Sequence, residues 1–433
     1  MYRKPNPRCR LAAVLPMLVL FVFSSVASAQ EGVADQDKNK SKDIHNLRPK
    51  FPTEELVKQS EAAIERGLQF LVTTQNKDGS WGSHDPDIPD LADFGFNLKN
   101  RGSQDGVRTA CTAICAEAFL HQEKLSKPQQ EAFEKAVGDL LIVKKFTPHL
   151  RGGSGENFNT WGYGYKLGFL VQLLEHPKGK KFDREKIVQS AQSCVDGLTK
   201  FQTNDGGWHY YSTQMLGSGS MSFNTSYISM CLQKAKTLDV KVPEGVVEDS
   251  ASIVKRQRVP DGSFLYDSRF ILQGRKQLET LGSGARTISN SYALYKMGYF
   301  SRKDLGIAMS IFDDGENYLE AGRKRLIPHR DAPHNISGYF FFFGYNYATE
   351  VAIILGDQIS QKRWDRFGWT MLRTQEKDGR WWDTAAGQYG DKWGTGFALR
   401  CLQRFVNETK RRSGQSEKES DETEADQKNE DDK

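Results

Sequence analysis

The chain has little of what would tie it to several common protein classes. It holds six cysteines in 433 residues, and one of them, Cys9, precedes an apolar run near the N-terminus. The other five, Cys111, Cys115, Cys194, Cys231 and Cys401, are an odd set scattered through helix-like segments, which argues against a disulfide framework. Cys111 and Cys115 share a helix face, yet no His or acid at ligand spacing accompanies them, so small buried core residues are expected, with no metal and no cofactor. Alternating, strand-like runs are nearly absent. No basic run interleaved with aromatics occurs, which leaves nucleic-acid binding without support. The one long apolar run, Leu11 to Phe23, falls short of the roughly 20 residues that cross a bilayer.

That run has another use. Met1 to Arg10 carries Arg3, Lys4, Arg8 and Arg10 and no acid, and Ala27-Ser28-Ala29 fits a small-residue cleavage site after the apolar stretch. Residues 1–29 therefore read as a signal peptide, and the protein as exported, periplasmic or extracellular, with no membrane span after cleavage. The four basic residues supply most of the formal net charge of +5, so the apparent basicity is largely a targeting signal. Residues 30–53 form a linker. The other end, 408–433, is rich in acids and almost without apolar side chains, and it is expected to be a disordered, solvated tail.

Between these ends the apolar residues recur at helical spacing. One set of segments, beginning near Glu54, Lys127, Asp183, Val246, Arg302 and Gln358, is polar on one face and suits an outer layer. The other, near Val107, Trp161, Thr225, Ile288, Tyr347 and Thr395, is apolar or small on most sides and should be buried. A threonine stands near the start of each buried segment, at Thr109, Thr160, Thr225, Thr287, Thr349 and Thr395, and this recurrence predicts six helical hairpins. Hairpins of this kind can bury both layers by closing into a ring.

Four copies of a short pattern punctuate the hairpins: QNKDGSW from Gln75 to Trp81, QTNDGGW from Gln202 to Trp208, QRVPDGSF from Gln257 to Phe264, and QEKDGRW from Gln375 to Trp381. In each, an apolar helical run ends at Gln, Asp-Gly supplies a tight turn, and an aromatic ring follows. Together with Arg66-Gly67-Leu68-Gln69-Phe70-Leu71 ahead of the first copy, this resembles the Gln-Trp repeat of squalene and oxidosqualene cyclases, a repeat superfamily shared with the protein prenyltransferase β-subunits. The resemblance runs from about Glu54 to Asn407. It implies an all-α fold, an (α/α)6 toroid with a central cavity over residues 54–407, and structural roles for the Gln and aromatic residues of the motif.

The family's chemistry transfers less readily. The Asp-x-Asp-Asp motif with which hopene-forming cyclases protonate an alkene is missing, and the nearest acidic cluster, Asp313-Asp314-Gly315-Glu316, reads as a solvated helix face. The zinc-binding Asp and Cys of prenyltransferases are matched only by Cys194 and Asp196, in reversed order. Where a repeat departs from the rule is the place to look for a site. The fifth hairpin lacks the motif and carries His329, Asp331 and His334 in a Pro-bounded loop, the candidate catalytic residues. Cavity-lining candidates are Arg108, Trp161, Tyr163, Asn224, Arg286, Tyr345, Tyr347, Asp391 and Trp393, which could surround a polyene or stack on sugar rings. Three functions stay open: an isoprenoid-binding or isoprenoid-modifying toroid, a noncatalytic binding or scaffold module, and a carbohydrate-active lyase or hydrolase. Whether the protein is an enzyme is left undecided at this level, and the candidate ligands are a lipid or a saccharide.

Overall fold

The computed structural model describes residues 51–84, 101–143, 159–210, 219–273, 282–324, 340–384 and 388–431, apart from the side chains of 101–102 and 415–431. All of them belong to one compact unit, Asp43–Lys433. Residues 1–29, expected to be a signal peptide, and most of the expected linker lie outside the described residues.

Among the described residues, twelve α-helices of more than one turn alternate between two layers. The outer ones are α1 (Thr53–Thr73), α3 (Lys127–Leu141), α5 (Arg184–Lys200), α7 (Val246–Arg256), α9 (Arg302–Gly322) and α11 (Gln361–Thr374). The inner ones are α2 (Arg101–Leu120), α4 (Asn159–Glu175), α6 (Ser222–Ala235), α8 (Gly284–Lys296), α10 (Phe341–Leu355) and α12 (Gly390–Asp431). Each inner helix packs on the next, α2 on α4 and so on to α12, and α12 packs back on α2. The fold is a closed α/α toroid. Outer helices α3, α5, α7 and α9 lean chiefly on the inner helix before them in the chain, whereas α1 and α11 both pack mainly on α12. The described residues hold no strand, only two isolated bridges, Met221 with Asp267 and Arg258 with Phe264.

The layers follow from composition. Outer α5 buries Ile187, Ala191, Val195 and Leu198 on one stripe and leaves its charged residues outside. Inner α4 is buried on nearly every side, from Asn159 to Leu173. Close inner packing needs small residues: a Cβ on Gly168 would stand 2.0 Å from the Tyr227 hydroxyl of α6.

The repeated motif is the joint between layers. Its Gly residues, 79, 206, 262 and 379, all have φ between 90° and 94°, a conformation open to Gly at little steric cost. The preceding Asp accepts the amide two residues on, as from Ser80 to Asp78 at 3.0 Å and from Ser263 to Asp261 at 2.8 Å. The Gln side chain then ties its own turn to the next outer helix. Gln75 Nε2 donates to the carbonyls of Gly79 and of Ala132 on α3, at 2.9 and 2.8 Å, and Gln202 reaches Gly206 and Val246. Gln375 reaches Gly379 and, across the closure, Ala63 on α1 at 2.9 Å. Gln257 departs from the rule and donates to the Ser220 carbonyl at 3.0 Å.

The three tryptophans are buried, and each indole N–H donates at 2.8 Å to a carbonyl ten residues back, on Leu71, Leu198 and Met371. Phe264 has no such donor. The amide of the aromatic residue donates to a threonine hydroxyl on the following inner helix or the one it leads to: Trp81 to Thr112, Trp208 to Thr225, Phe264 to Thr287 and Trp381 to Thr395. Thr112 fills this role in the first repeat, one turn beyond the expected Thr109. Thr160 and Thr349 have no motif before them and bond instead to His209 and Tyr210, and to Tyr345 and Asn346.

One sequence-based expectation changes. Glu316 is fully buried, with Arg363 at 3.0 Å, Arg366 at 2.9 Å and the Tyr345 hydroxyl at 3.0 Å, so Glu316 and Asp313 form an ion network between α9 and α11, while Asp314 stays exposed. The backbone from 408 onward continues α12 as a helix to Asp431. The packed part of α12 supplies the nucleus that an isolated polar helix lacks. Among the described residues no helix is long and apolar enough to cross a membrane, and all five described cysteines are buried free thiols.

Candidate functional site

The inner helices begin earlier than their apolar pattern suggested, and in most of them the first residues are polar or small; α10, which opens on Phe341-Phe342-Phe343, is the exception. The N-terminal halves of the inner helices hold much of what the sequence offered as cavity lining. Arg108 donates to the Ser83 carbonyl at 3.1 Å, Asn224 to that of His209 at 3.1 Å, and Arg286 to that of Phe264 at 2.8 Å. All three carbonyls lie at or just after a motif aromatic, so these side chains clamp the loop that leaves each turn. Tyr163 packs on Gly197 and Phe201 of the outer layer. Tyr345 joins the Glu316 network, and Asp391 pairs with Lys392 at 2.8 Å. His329, Asp331 and His334 lie outside the described residues.

Trp161 and Trp393 do meet on the ring axis, edge to face with centroids 6.0 Å apart. Tyr165, Phe223, Phe343 and Phe397 complete an aromatic chamber around them. At its edge Asp383, which the sequence reading passed over, is 1% exposed. The carboxylate accepts from the amide of Phe342 and from the Trp393 indole, and burial pushes its pKa up to about 6. Its Oδ1 is buried without a hydrogen-bond partner among the described residues. The free volume of the chamber is only about 20 Å³, room for about one water.

The axis is plugged below the chamber. Tyr165 packs at a tilt on Tyr227, ring centroids 4.7 Å apart, and Phe343 meets Tyr347 edge to face at 4.9 Å. Beyond that layer, at the C-terminal ends of the inner helices, a bowl of about 490 Å³ opens, within the roughly 300–1,000 Å³ range of small-molecule sites. Every inner helix contributes: Glu117 from α2, Gln172 from α4, Tyr227 from α6, Tyr292 from α8, Glu350 from α10 and Arg404 from α12. Tyr347 also lines it, the one sequence-predicted residue that does.

The polar groups of the bowl are ordered by one another. Arg404 holds Glu350 at 2.6 Å and the Asn346 side chain at 2.7 Å. Gln172 Nε2 donates to Glu117 at 2.9 Å. With that amide nitrogen on Glu117, the Gln172 carbonyl faces His121 Nε2 at 2.8 Å, so the imidazole carries its proton on Nε2. Burial and the nearby Arg400 charge drive the His121 pKa down to about 2. Burial raises the pKa of Glu117, and the Glu350 charge adds to it against Arg400, Arg404 and the Gln172 hydrogen bond. Arg400 itself, buried beside Arg404, is lowered to about 9. Burial likewise raises the pKa values of Tyr227, Tyr292 and Tyr347, keeping all three neutral donors.

A larger hollow, about 980 Å³, runs along α5. Its polar wall is made of solvated side chains such as Arg184, Glu185 and Lys200, and it borders Val143, where the described residues stop. Among the described residues no cluster of His, Cys, Asp and Glu could hold a metal ion.

No protein-family model and no curated protein matches the chain. Among solved structures it is similar to the type II terpene cyclase MstE from Scytonema, at 11% identity and a TM-score of 0.48, over 82% of this chain and 99% of that one. It is also similar to a possible member of the GH105 family from Klebsiella pneumoniae, at 12% identity and a TM-score of 0.49, over 84% and 96%. Similarities at this level carry no argument about function.

Proposed function

We propose that the toroid takes a hydroxyl-rich, ring-shaped ligand, a saccharide, in the bowl at the C-terminal ends of its inner helices, as a carbohydrate-active or carbohydrate-binding protein. The observation that carries this reading is the convergence of Tyr, Arg and a pair of carboxylates in an open cavity of about 490 Å³, against about 20 Å³ at the aromatic centre. Tyrosine faces suit sugar rings, and neutral phenols, carboxylates and a guanidinium suit their hydroxyls. Export, expected from residues 1–29, suits such ligands. Calorimetric titration of the full chain with cellobiose, xylobiose, chitobiose, gentiobiose and digalacturonate tests it. Binding by at least one, weakened at least tenfold in Tyr292→Ala, is expected; no binding by any overturns the reading.

An isoprenoid-like ligand in the aromatic chamber is the second reading. Aromatic faces stabilise carbocations, and Asp383 is a buried carboxyl that keeps its proton to higher pH than usual. The chamber would have to open many-fold to admit such a ligand. Mass spectrometry of lipid co-purifying with the protein would favour this reading, and a scaffold role is favoured if neither sugar nor lipid binds.

A further inference from the structure

We infer that Glu117 is the proton donor of the bowl, delivering its carboxyl proton to the bridging oxygen of a glycosidic bond, with Gln172 and His121 as positioning residues. This rests on the saccharide reading above. Glu117 lies on α2 one turn before its end and faces the bowl, and only its Oε1 is engaged by Gln172. Oε2 is thus the oxygen that carries the proton. Gln172 cannot swing away freely, because its carbonyl is held by His121 and its amide also donates to the Gly168 carbonyl at 3.1 Å. His121 in turn lies edge to face with His176 at 5.5 Å.

A proton donor needs a partner in a different protonation state. Glu350 faces the same bowl with Arg404 at 2.6 Å, so its negative charge is balanced in place. In the proposed step the proton of Glu117 passes to the bridging oxygen, the C–O bond breaks with its electron pair going to that oxygen, and the first sugar leaves as an alcohol. Water adds to the electron-deficient carbon and gives its proton to the Glu350 carboxylate. Exchange with solvent then returns both carboxyls to their starting states. The net reaction is hydrolysis, with one water consumed.

The charges around Glu117 come from every neighbouring element. Glu175 on α4 is paired with Lys234 on α6, Lys296 on α8 stands at the rim, and Arg400 and Arg404 on α12 favour the ionised form. Cys231 and the tyrosines stay neutral, their pKa values raised by burial. Burial outweighs the arginines at Glu117, so the acid form persists above the ordinary carboxyl range.

The test uses the disaccharide from the panel that binds, and its 4-nitrophenyl glycoside, whose phenolate leaves without help from an acid. Glu117→Gln should bind the disaccharide as the natural chain does, cleave it at least about 100-fold more slowly, and lose far less on the nitrophenyl substrate. Gln172→Met should move the alkaline limb of the kcat/KM profile for the disaccharide while the chain stays folded by circular dichroism, and it carries the test alone should Glu117→Gln not fold. Binding without cleavage by the natural chain, equal losses on both substrates, or an unmoved limb would overturn the inference while leaving the saccharide reading intact. No binding removes both.

Discussion

Replacing Asp383 with Asn should remove a pH dependence of stability that this one carboxyl imposes. Burial raises its folded pKa from 3.8 to about 6, and the residue is only 1% exposed. For an acid raised in this way the sign is the reverse of a salt-bridged carboxylate. Below the unfolded value both states hold the proton; between the two values only the folded state does; above about 6 the folded state must ionise a carboxylate in an apolar site. Its stabilising contribution is therefore full in acid and lost as pH rises through about 6. Two pKa units amount to about 3 kcal/mol. Asn keeps an oxygen for the Phe342 amide and the Trp393 indole but does not titrate. Urea midpoints for both proteins between about pH 4 and 8 give the comparison. The advantage of Asp383→Asn over the natural chain should grow by about 3 kcal/mol across that range. His209, lowered to about 4 by burial, acts oppositely, losing stability as pH falls below its unfolded value, but it is common to both chains and cancels. Curves parallel within about 0.5 kcal/mol would refute the account of this carboxyl.

Two further substitutions probe the ring. Gln375→Ala deletes the hydrogen bonds to Ala63 and Gly379 and leaves Arg66 without the acceptor it reaches at 2.6 Å; a loss of about 2–4 kcal/mol is expected in denaturant titrations, and no loss would show that closure does not depend on this tether. Gly379→Ala places a Cβ 2.4 Å from the Arg66 carbonyl at a φ of 92°, so it should lose at least about 2 kcal/mol, more than Gly138→Ala, where nothing stands within 4 Å; equal melting temperatures would refute the close approach.

The toroid was legible because its signals repeat. The Asp-Gly turn, the Gln and the aromatic ring recur with the same partners, and the two helix types differ in how much of their circumference is apolar. Less legible are single residues whose role depends on a neighbour distant in sequence. Arg108, Asn224 and Arg286 look like cavity lining when only their position before an apolar run is known, and their carbonyl partners are 15 to 25 residues away. The bowl was overlooked because its polar groups are spread over six helices, each unremarkable alone. A signal was present nonetheless: Glu117, Gln172 and Glu350 interrupt otherwise apolar stretches within two turns of the ends of inner helices. Glu316 was misjudged because an acid on an outer helix usually faces water, and only the arrival of α11 with Arg363 and Arg366 makes that site interior.

The join between α1 and the last two helices, made by Gln375 on Ala63, Thr53 on Asp365 at 2.9 Å and Lys410 with Glu61 at 2.7 Å, is built from the same parts as the joins inside the chain. A circle assembled this way has no privileged starting point. Permuted versions, with the old ends bridged and new ones opened at another turn, would keep every helix-to-helix seam, whereas deleting any one pair of helices would leave two unmatched flanks facing water.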